Sequence, residues 1–447
     1  MNKMNTPVYD FVRAYAERQG VRFHMPGHKG RRFLGIEDID LTEISGADVL
    51  SEAQGIIGES EANAASLFGT AKTLYSTEGS TLAIKTMLCL ATKGKREDRP
   101  KVLAARNVHK AFIYAAALLD LEVEWIYPDE PTHICTCGIT PEQVERAILS
   151  SRETPCALYL TSPDYLGNRA DIKGISAVCK KHGVLLLVDN AHGAYLKFLP
   201  EDSHPITLGA DACCDSAHKT LPVLTGGAYL HISKNAPKSF CENAKSTMAL
   251  FGSTSPSYLT MSSLDLCNRY LCEGYGQRLA ECIERVNKTK IALKEKGFAV
   301  EEGEPLKIVV RAQCSGYTGE ELGNALREKN IEPEFCDRDF LVLIATPENS
   351  ESDFKALTNA LKKIKKREPV TLSYPKLSPA EAVVSIRRAV FSKQKSIDVS
   401  DAVGKICASP TVSCPPAIPI AVSGERITEE TVAAFKHYGI EKISVIE

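Results

Sequence analysis

Lys219 lies in DACCDSAHKTLPVLTGGAYLHIS, residues 211 to 233, between His218 and a Thr-Leu-Pro turn, with small and apolar residues on both sides. A lysine ammonium is strongly hydrated and a surface lysine ordinarily sits among other charges. An amine in this setting reads instead as a nucleophile or a covalent tether. Asp189 ends the apolar run of VLLLVDNAHGAY. A carboxylate at the end of a buried strand needs a partner, because an isolated buried charge is costly or takes up a proton. A protonated ring nitrogen would satisfy it. A lysine that holds an aldehyde as a Schiff base, and an acid that keeps a pyridine ring protonated, are together the requirements of pyridoxal phosphate chemistry. The phosphate needs a cradle, and STEGSTLAIKTMLCL offers Gly79, Ser80 and Thr81 at the start of a helix, where N–H groups and the dipole favour an anion. Ser216, shortly before the lysine, adds a hydroxyl. Singly, each has a plainer explanation: Asp189 as a helix cap, Gly-Ser-Thr as a helix opening, Lys219 as a snorkelling side chain. Their order along one chain is what points to the cofactor.

The elements that must position these groups are legible between about residues 70 and 235. Apolar runs (KVLAA, CALYLTS, VLLLVDN, GGAYLHI, and a strand through ACCDSA) alternate with helical patterns in TLAIKTMLCLA and DIKGISAVCKKHG. The alternation predicts an α/β fold with a mostly parallel sheet, in which ligands bind beyond the carboxyl ends of the strands. After about residue 285 the pattern becomes a small α+β domain, with helices in VNKTKIALKEKG, TGEELGNALREK and SDFKALTNALKKIKKR and strands in PLKIVVRA and DFLVLIAT. The Pro-rich stretch EPVTLSYPKLSPAEA opens a third segment. The expected division is 1–285, 286–370 and 371–447.

Composition narrows the function. The chain has 447 residues, 44% hydrophobic and 25% charged, with a net charge of -2, so nothing draws it to nucleic acid or anionic lipid. No long apolar run and no leader-like N-terminus is present, which predicts a cytoplasmic protein. The 15 cysteines are scattered without paired clusters and read as reduced thiols. Cys135 and Cys137 lack a second ligand pair nearby, so no metal is expected.

The chain resembles the Orn/Lys/Arg decarboxylases, pyridoxal-phosphate enzymes of the aspartate-aminotransferase fold. The likeness rests on FHMPGHKG (23–30), DLTEISGADVL (40–50), AASLFGTAKTLYSTEGST (64–81), ARNVHKA (105–111), TSPDYLG (161–167), DNAHGAY (189–195), SAHKTLPVLTGGAYL (216–230) and STSPSYLTMSSLD (253–265). It implies that Lys219 is the Schiff-base lysine and Asp189 the partner of the ring nitrogen. It further implies that His109 stacks on one ring face, Ala191 packs on the other, and His192 lies by the phenolic oxygen or the substrate. Ser80, Thr81, Ser216 and His218 map to the phosphate side, and Ser253 and Thr254 of STSPSY to the phosphate of a neighbouring subunit in a homodimer. The short N-terminus matches the compact form of the family, without its wing domain. The C-terminal segment CPPAIPIAVSGE is similar to the family's YPPGIPLLVPGE, with Cys414, Ala417 and Ser423 differing. Family members commonly carry DEAHGA where this chain has Asp189, Asn190, Ala191 and His192, and a polar pair such as TQ where Gly226 and Gly227 stand.

The resemblance implies decarboxylation of lysine, ornithine or arginine, with carbon dioxide and a di- or polyamine precursor as products. Fold type alone does not fix which bond at Cα breaks, so an aminotransferase or another lyase is the alternative within enzymes. A pyridoxal-phosphate-binding protein without turnover is the alternative outside them.

Overall fold

The computed structural model describes residues 4–95, 99–130, 132–370, 374–375, 378–410 and 417–447. The fold is α/β with a large, mostly parallel sheet. The chain divides into two compact units, one of Met1–Lys95 with Ile172–Gln277, the other of Arg96–Asp171 with Arg278–Glu447.

Numbered along the chain, the strands of the first unit are β1 (Lys72–Ser76), β5 (Leu185–Asp189), β6 (Ala212–Asp215) and β7 (Ala228–Ile232), in the order β1-β7-β6-β5. β5 and β6 run parallel, with Asp189 opposite Cys214, whereas β7 lies antiparallel to both β6 and β1. The connection from β6 to β7 carries only the short helix Ala217–Thr220, too little chain for the crossover that a parallel return needs. Strands β5, β6 and β7 are mostly apolar or small because they are buried on both faces, with Asp189, Asp215 and His231 as buried polar exceptions, and helix Gly79–Thr92 packs across them. Helices Pro7–Glu17, Ile56–Phe68 and Tyr258–Cys272 pack together in the same unit.

In the second unit, β2 (Lys101–Ala105), β3 (Glu122–Ile126) and β4 (Ala157–Thr161) form a parallel set with β2 central, joined through helices Lys110–Leu119 and Pro141–Ser150. β8 (Ala299–Val300), β9 (Lys307–Arg311), β10 (Phe335–Cys336) and β11 (Phe340–Ile344) make an antiparallel sheet in the order β10-β11-β9-β8. Its helices begin where the sequence supplies capping boxes, Thr318 with Glu321 and Ser350 with Asp353. A last sheet, β12 (Gln394–Asp398), β13 (Cys407–Ser409) and β14 (Lys442–Ile446), has β14 in the middle. Helix Tyr275–Glu295 is longer than its basic half suggested, so residue 285 falls inside it. Cys414 lies outside the described residues.

Candidate active site

The parallel register of β5 and β6 brings two strand ends together. Asn190 N–H donates to the Cys214 carbonyl at 3.0 Å, which holds the turn after β5 against β6. That turn carries Asp189, Ala191 and His192, all nearly fully buried. The Asp189 Oδ1 atom accepts the Ala191 N–H at 3.1 Å and lies 3.6 Å from the Cys214 thiol. Burial pushes that thiol well above its usual range, so it stays protonated and faces the carboxylate as a donor. Lys219, half-buried in the short helix after β6, has its Nζ 3.1 Å from His192 Nε2. Three of the residues singled out from sequence therefore meet: the amine, the imidazole beside it, and the carboxylate three residues before that imidazole.

The candidate anion cradle lies between the end of β6 and the helix that follows β1. Ser216 Oγ, which is buried, donates to Ser80 Oγ at 2.8 Å in the first turn of helix Gly79–Thr92. The Gly79 N–H donates to the Gly226 carbonyl at 2.7 Å, so the N–H groups that this helix start offers to an anion are those of Ser80 and Thr81. Gly226 has φ +93°, and a Cβ there would stand 2.8 Å from the Thr77 carbonyl oxygen. A Cβ at Gly227 would stand 2.3 Å from Val223 Cγ1. Gly226 thus answers a close approach between the loop after the lysine and the turn before helix Gly79–Thr92, and Gly227 a tight bend within that loop. His218 donates from Nδ1 to the Gly227 carbonyl at 3.0 Å. Ser253 and Thr254 are exposed, at a cavity of about 290 Å³ that Thr77 and Glu78 also line. Ser253 N–H donates to Glu78 Oε1 at 2.6 Å in its own chain.

His109 belongs to the second unit, where it caps helix Lys110–Leu119. Its Nδ1 accepts the Ala111 N–H at 3.1 Å, which puts the proton of the neutral ring on Nε2.

The sequence reading missed a buried cluster directly behind the Asp189 turn. Asp215, the last residue of β6, accepts from Asn190 Nδ2 at 2.7 Å, His204 Nε2 at 3.0 Å and His231 Nε2 at 3.2 Å. All four residues are completely buried. Burial by itself would raise the Asp215 carboxyl, but the two histidines outweigh it and hold the group well below the usual carboxylate range. The one sequence signal was Asn190, which departs from the family's pattern. Among the described residues, His204, Asp215 and His231 form one group close enough to share an ion, and His133, Asp337 and Asp339 form another. Neither includes Cys135 or Cys137.

Comparison with known proteins agrees with this geometry. Residues 6–314 match the model of the Orn/Lys/Arg decarboxylase major domain, and residues 362–440 that of the Orn/Lys/Arg decarboxylase C-terminal domain. The chain is 30% identical over 466 residues to an arginine decarboxylase of Bacillus subtilis (strain 168), spanning 97% of this chain and 93% of that protein. It is 30% identical over 463 residues to an arginine decarboxylase of Halalkalibacterium halodurans, spanning 96% and 92%. A lysine decarboxylase of Francisella novicida superposes with a TM-score of 0.81 at 17% identity, covering 99% of this chain and 81% of that one, which is a likeness of fold. The fold is that of the pyridoxal-phosphate-dependent class of α/β enzymes. The chain belongs to the Orn/Lys/Arg decarboxylase family, and it is a decarboxylase of the basic-amino-acid class. No helix among the described residues is long and apolar enough to cross a membrane.

Proposed function

We propose that the chain decarboxylates arginine, with pyridoxal phosphate tethered to Lys219. The observation that carries the reading is the pairing of Lys219 Nζ with His192 Nε2 at 3.1 Å, on the turn that holds the buried Asp189. Arginine is favoured over lysine or ornithine because the relatives that share sequence over nearly the whole chain include several named arginine decarboxylases. The lysine decarboxylase structures share the fold at low identity.

The residues present fit the cofactor. The first turn of helix Gly79–Thr92 and the hydroxyls of Ser80, Thr81 and Ser216 suit its phosphate. The buried Asp189 suits its ring nitrogen, and Ala191 leaves room for a flat ring. His218 steadies the loop beside the cradle, and His109 is the candidate for stacking on the ring. Once bound, the cofactor supplies the electron sink for the pair left when the Cα–carboxylate bond breaks. Asp189, as an anion, holds the ring-nitrogen proton in place. Lys219 Nζ and His192 Nε2 stand 3.1 Å apart beside the proposed ring site, so either can deliver a proton to the substrate's Cα. A homodimer in the cytoplasm, with Ser253 and Thr254 of one chain near the other's phosphate, completes the reading. Residues 1–285 would hold the cofactor, and 286–370 and 371–447 would be appended domains.

Lys219→Ala tests it. The purified variant should lose the visible absorbance of bound cofactor and release no carbon dioxide from arginine; normal release would overturn the assignment. With the unaltered chain, arginine, lysine and ornithine are assayed side by side for carbon dioxide and amine. A keto acid product would indicate an aminotransferase, and bound cofactor without turnover a binding protein.

A further inference from the structure

Every site residue on the turn after β5 depends on how residue 190 is held. Asn190 stands between Asp189 and Ala191, its N–H donates to Cys214 and its carbonyl accepts the Gly193 N–H at 2.8 Å. Its side chain points into the protein. A carboxylate only accepts, so the amide nitrogen must face Asp215, and the 2.7 Å bond fixes the orientation of the amide. The amide oxygen packs on Gly193, where a Cβ would stand only 2.1 Å from it.

The far side of Asp215 is as closely specified. His231 Nδ1 lies 2.8 Å from Thr73 Oγ1, and its Nε2 faces the Asp215 carboxylate at 3.2 Å, which can only accept, so Nε2 carries a proton toward Asp215. His204 Nδ1 is buried with no hydrogen-bond partner. An unpaired acceptor there costs less than an unpaired N–H, which again leaves the proton on Nε2. Asp215 thus collects three donors and remains a single buried anion with no open position for a metal. Its chain neighbour Ser216 lies on the cradle, and its partner Asn190 on the turn beneath the ring site.

We propose that Asn190 and Asp215 form an acid–amide clamp that positions the Asp189–His192 turn against the end of β6. Both are positioning residues: Asn190 acts through Asp189 and His192, and Asp215 through Asn190. A glutamate at 190, the family's common residue, would set a second carboxylate against Asp215. The clamp needs one acid and one amide, and in this chain the acid is at 215.

The inference rests on the proposed cofactor chemistry, and its test separates the two. Asn190→Asp and Asp215→Asn are isosteric, and together they exchange acid and amide without changing size. Pyridoxal phosphate binding is titrated by fluorescence on apoprotein, and the visible spectrum, kcat and KM are measured on the loaded enzyme. Asn190→Asp, with two carboxylates in contact, should weaken cofactor binding and lower kcat by about tenfold or more while KM moves less than about threefold, because one buried acid must then take up a proton. Asp215→Asn should act in the same direction. The double variant should recover to within about threefold of the unaltered chain. Singles that bind and turn over normally, or a double variant as impaired as the product of the singles, would overturn the clamp. So would a stoichiometric transition metal retained at His204 and His231 through purification. If unaltered apoprotein takes up no pyridoxal phosphate, the proposed function fails; if it does and the exchange restores nothing, only the clamp fails.

Discussion

A fully buried cluster of histidine and aspartate in one unit and a partly buried one in the other differ in what they are attached to. In the first unit, His204 and His231 serve one carboxylate, Asp215, whose remaining oxygen is bound by the amide beside Asp189. In the second, His133 and His437 meet two carboxylates. His133 Nε2 is 2.8 Å from Asp337 Oδ2, and His437 Nε2 is 3.1 Å from Asp339 Oδ2. Asp337 and Asp339 sit in the turn between β10 and β11, and the other Asp337 oxygen accepts the N–H groups of Asp339 and Phe340 at 2.8 Å each. His133 takes the Cys135 N–H on Nδ1 at 3.2 Å, which places its ring proton on Nε2 and makes it a donor, not a metal ligand. The rings of Phe340 and Tyr438 stand edge-on to it. This second cluster ties a loop, a hairpin turn and the end of helix Glu429–His437 together. The same residue types therefore make a lever on the chemistry in one place and a brace in the other, and the difference lies in the neighbour of the carboxylate.

The largest expected contrast is between Asp189→Asn and Asp337→Asn. The first should retain cofactor yet lose about two to three orders of magnitude in kcat, since a preorganised charge that acts during bond breaking is gone. The second should leave kcat within about twofold and lower only the unfolding midpoint, because a braced turn contributes to folding and not to the reaction. Steady-state kinetics beside thermal melts decide it. Comparable kcat losses in both would erase the distinction.

Asp339→Ala should come next in size. Asp339 is fully buried and bonded to His437, and Gln313 also reaches it, so its removal strands buried donors. Breaking such a set costs about 3 kcal/mol. Denaturant melts should show that loss while the visible spectrum of the loaded enzyme stays unchanged. A displaced cofactor band would tie the second cluster to the site after all.

A third buried acid shows what happens without histidines. Asp265 accepts from Ser60 and from the Val8 and Tyr9 N–H groups at the start of helix Pro7–Glu17, with no ion pair to it among the described residues, and burial pushes its carboxyl up to about 6. The folded value lies above an unfolded value of about 3.9, so the folded state holds the proton more tightly. The stabilisation is fully present below about pH 4 and is lost as pH rises through about 6, a change of roughly 2 to 3 kcal/mol. Asp265→Asn should remove that slope between pH 4 and 7 in denaturant melts. An unchanged slope would place the titration elsewhere. Asp215, held down by its histidines, has the opposite sign, and its contribution is lost only on acidification.

What was legible in the sequence follows from how local each signal is. The β5 and β6 strand ends, Lys219, Asp189 and the helix start at Gly79 were visible because an apolar run followed by a polar residue, or Gly-Ser-Thr before a helical pattern, is a feature of neighbouring residues. The antiparallel return of β7 was not read from the sequence, where alternation alone suggested a parallel set; it is a matter of the short connection after Lys219. The Asp215 cluster was not readable. His204, His231 and Asn190 come to one carboxylate only through the register of β5, β6, β7 and the loop before β6, and no spacing along the chain marks them. Gly226 and Gly227 looked like departures; Gly226 is required by the approach of Thr77, and Gly227 by the packing of Val223 within its own loop. His109 stood out by resemblance, and its own helix explains only its tautomer.

The smallest effect concerns another departure, Ala417. Its φ is +59°, and its carbonyl accepts the Lys110 N–H at 2.8 Å, next to His109. Arg106, from the same ARNVHKA stretch, donates to the Pro419 and Ile420 carbonyls at 2.8 Å each, so this backbone is held in place on both sides. Left-handed backbone costs a residue with a Cβ about 1 to 2 kcal/mol. Glycine escapes that cost but loses about 0.5 to 1 kcal/mol more conformational entropy on folding. The first magnitude exceeds the second, so Ala417→Gly, which restores the residue of the family pattern, should stabilise the chain by about 0.5 to 1 kcal/mol. The loop ahead of helix Lys110–Leu119 keeps its bonds in the variant, so kcat should not change. A melt that shifts downward would mean that the buried Ala417 methyl contributes more by packing than its backbone costs in strain.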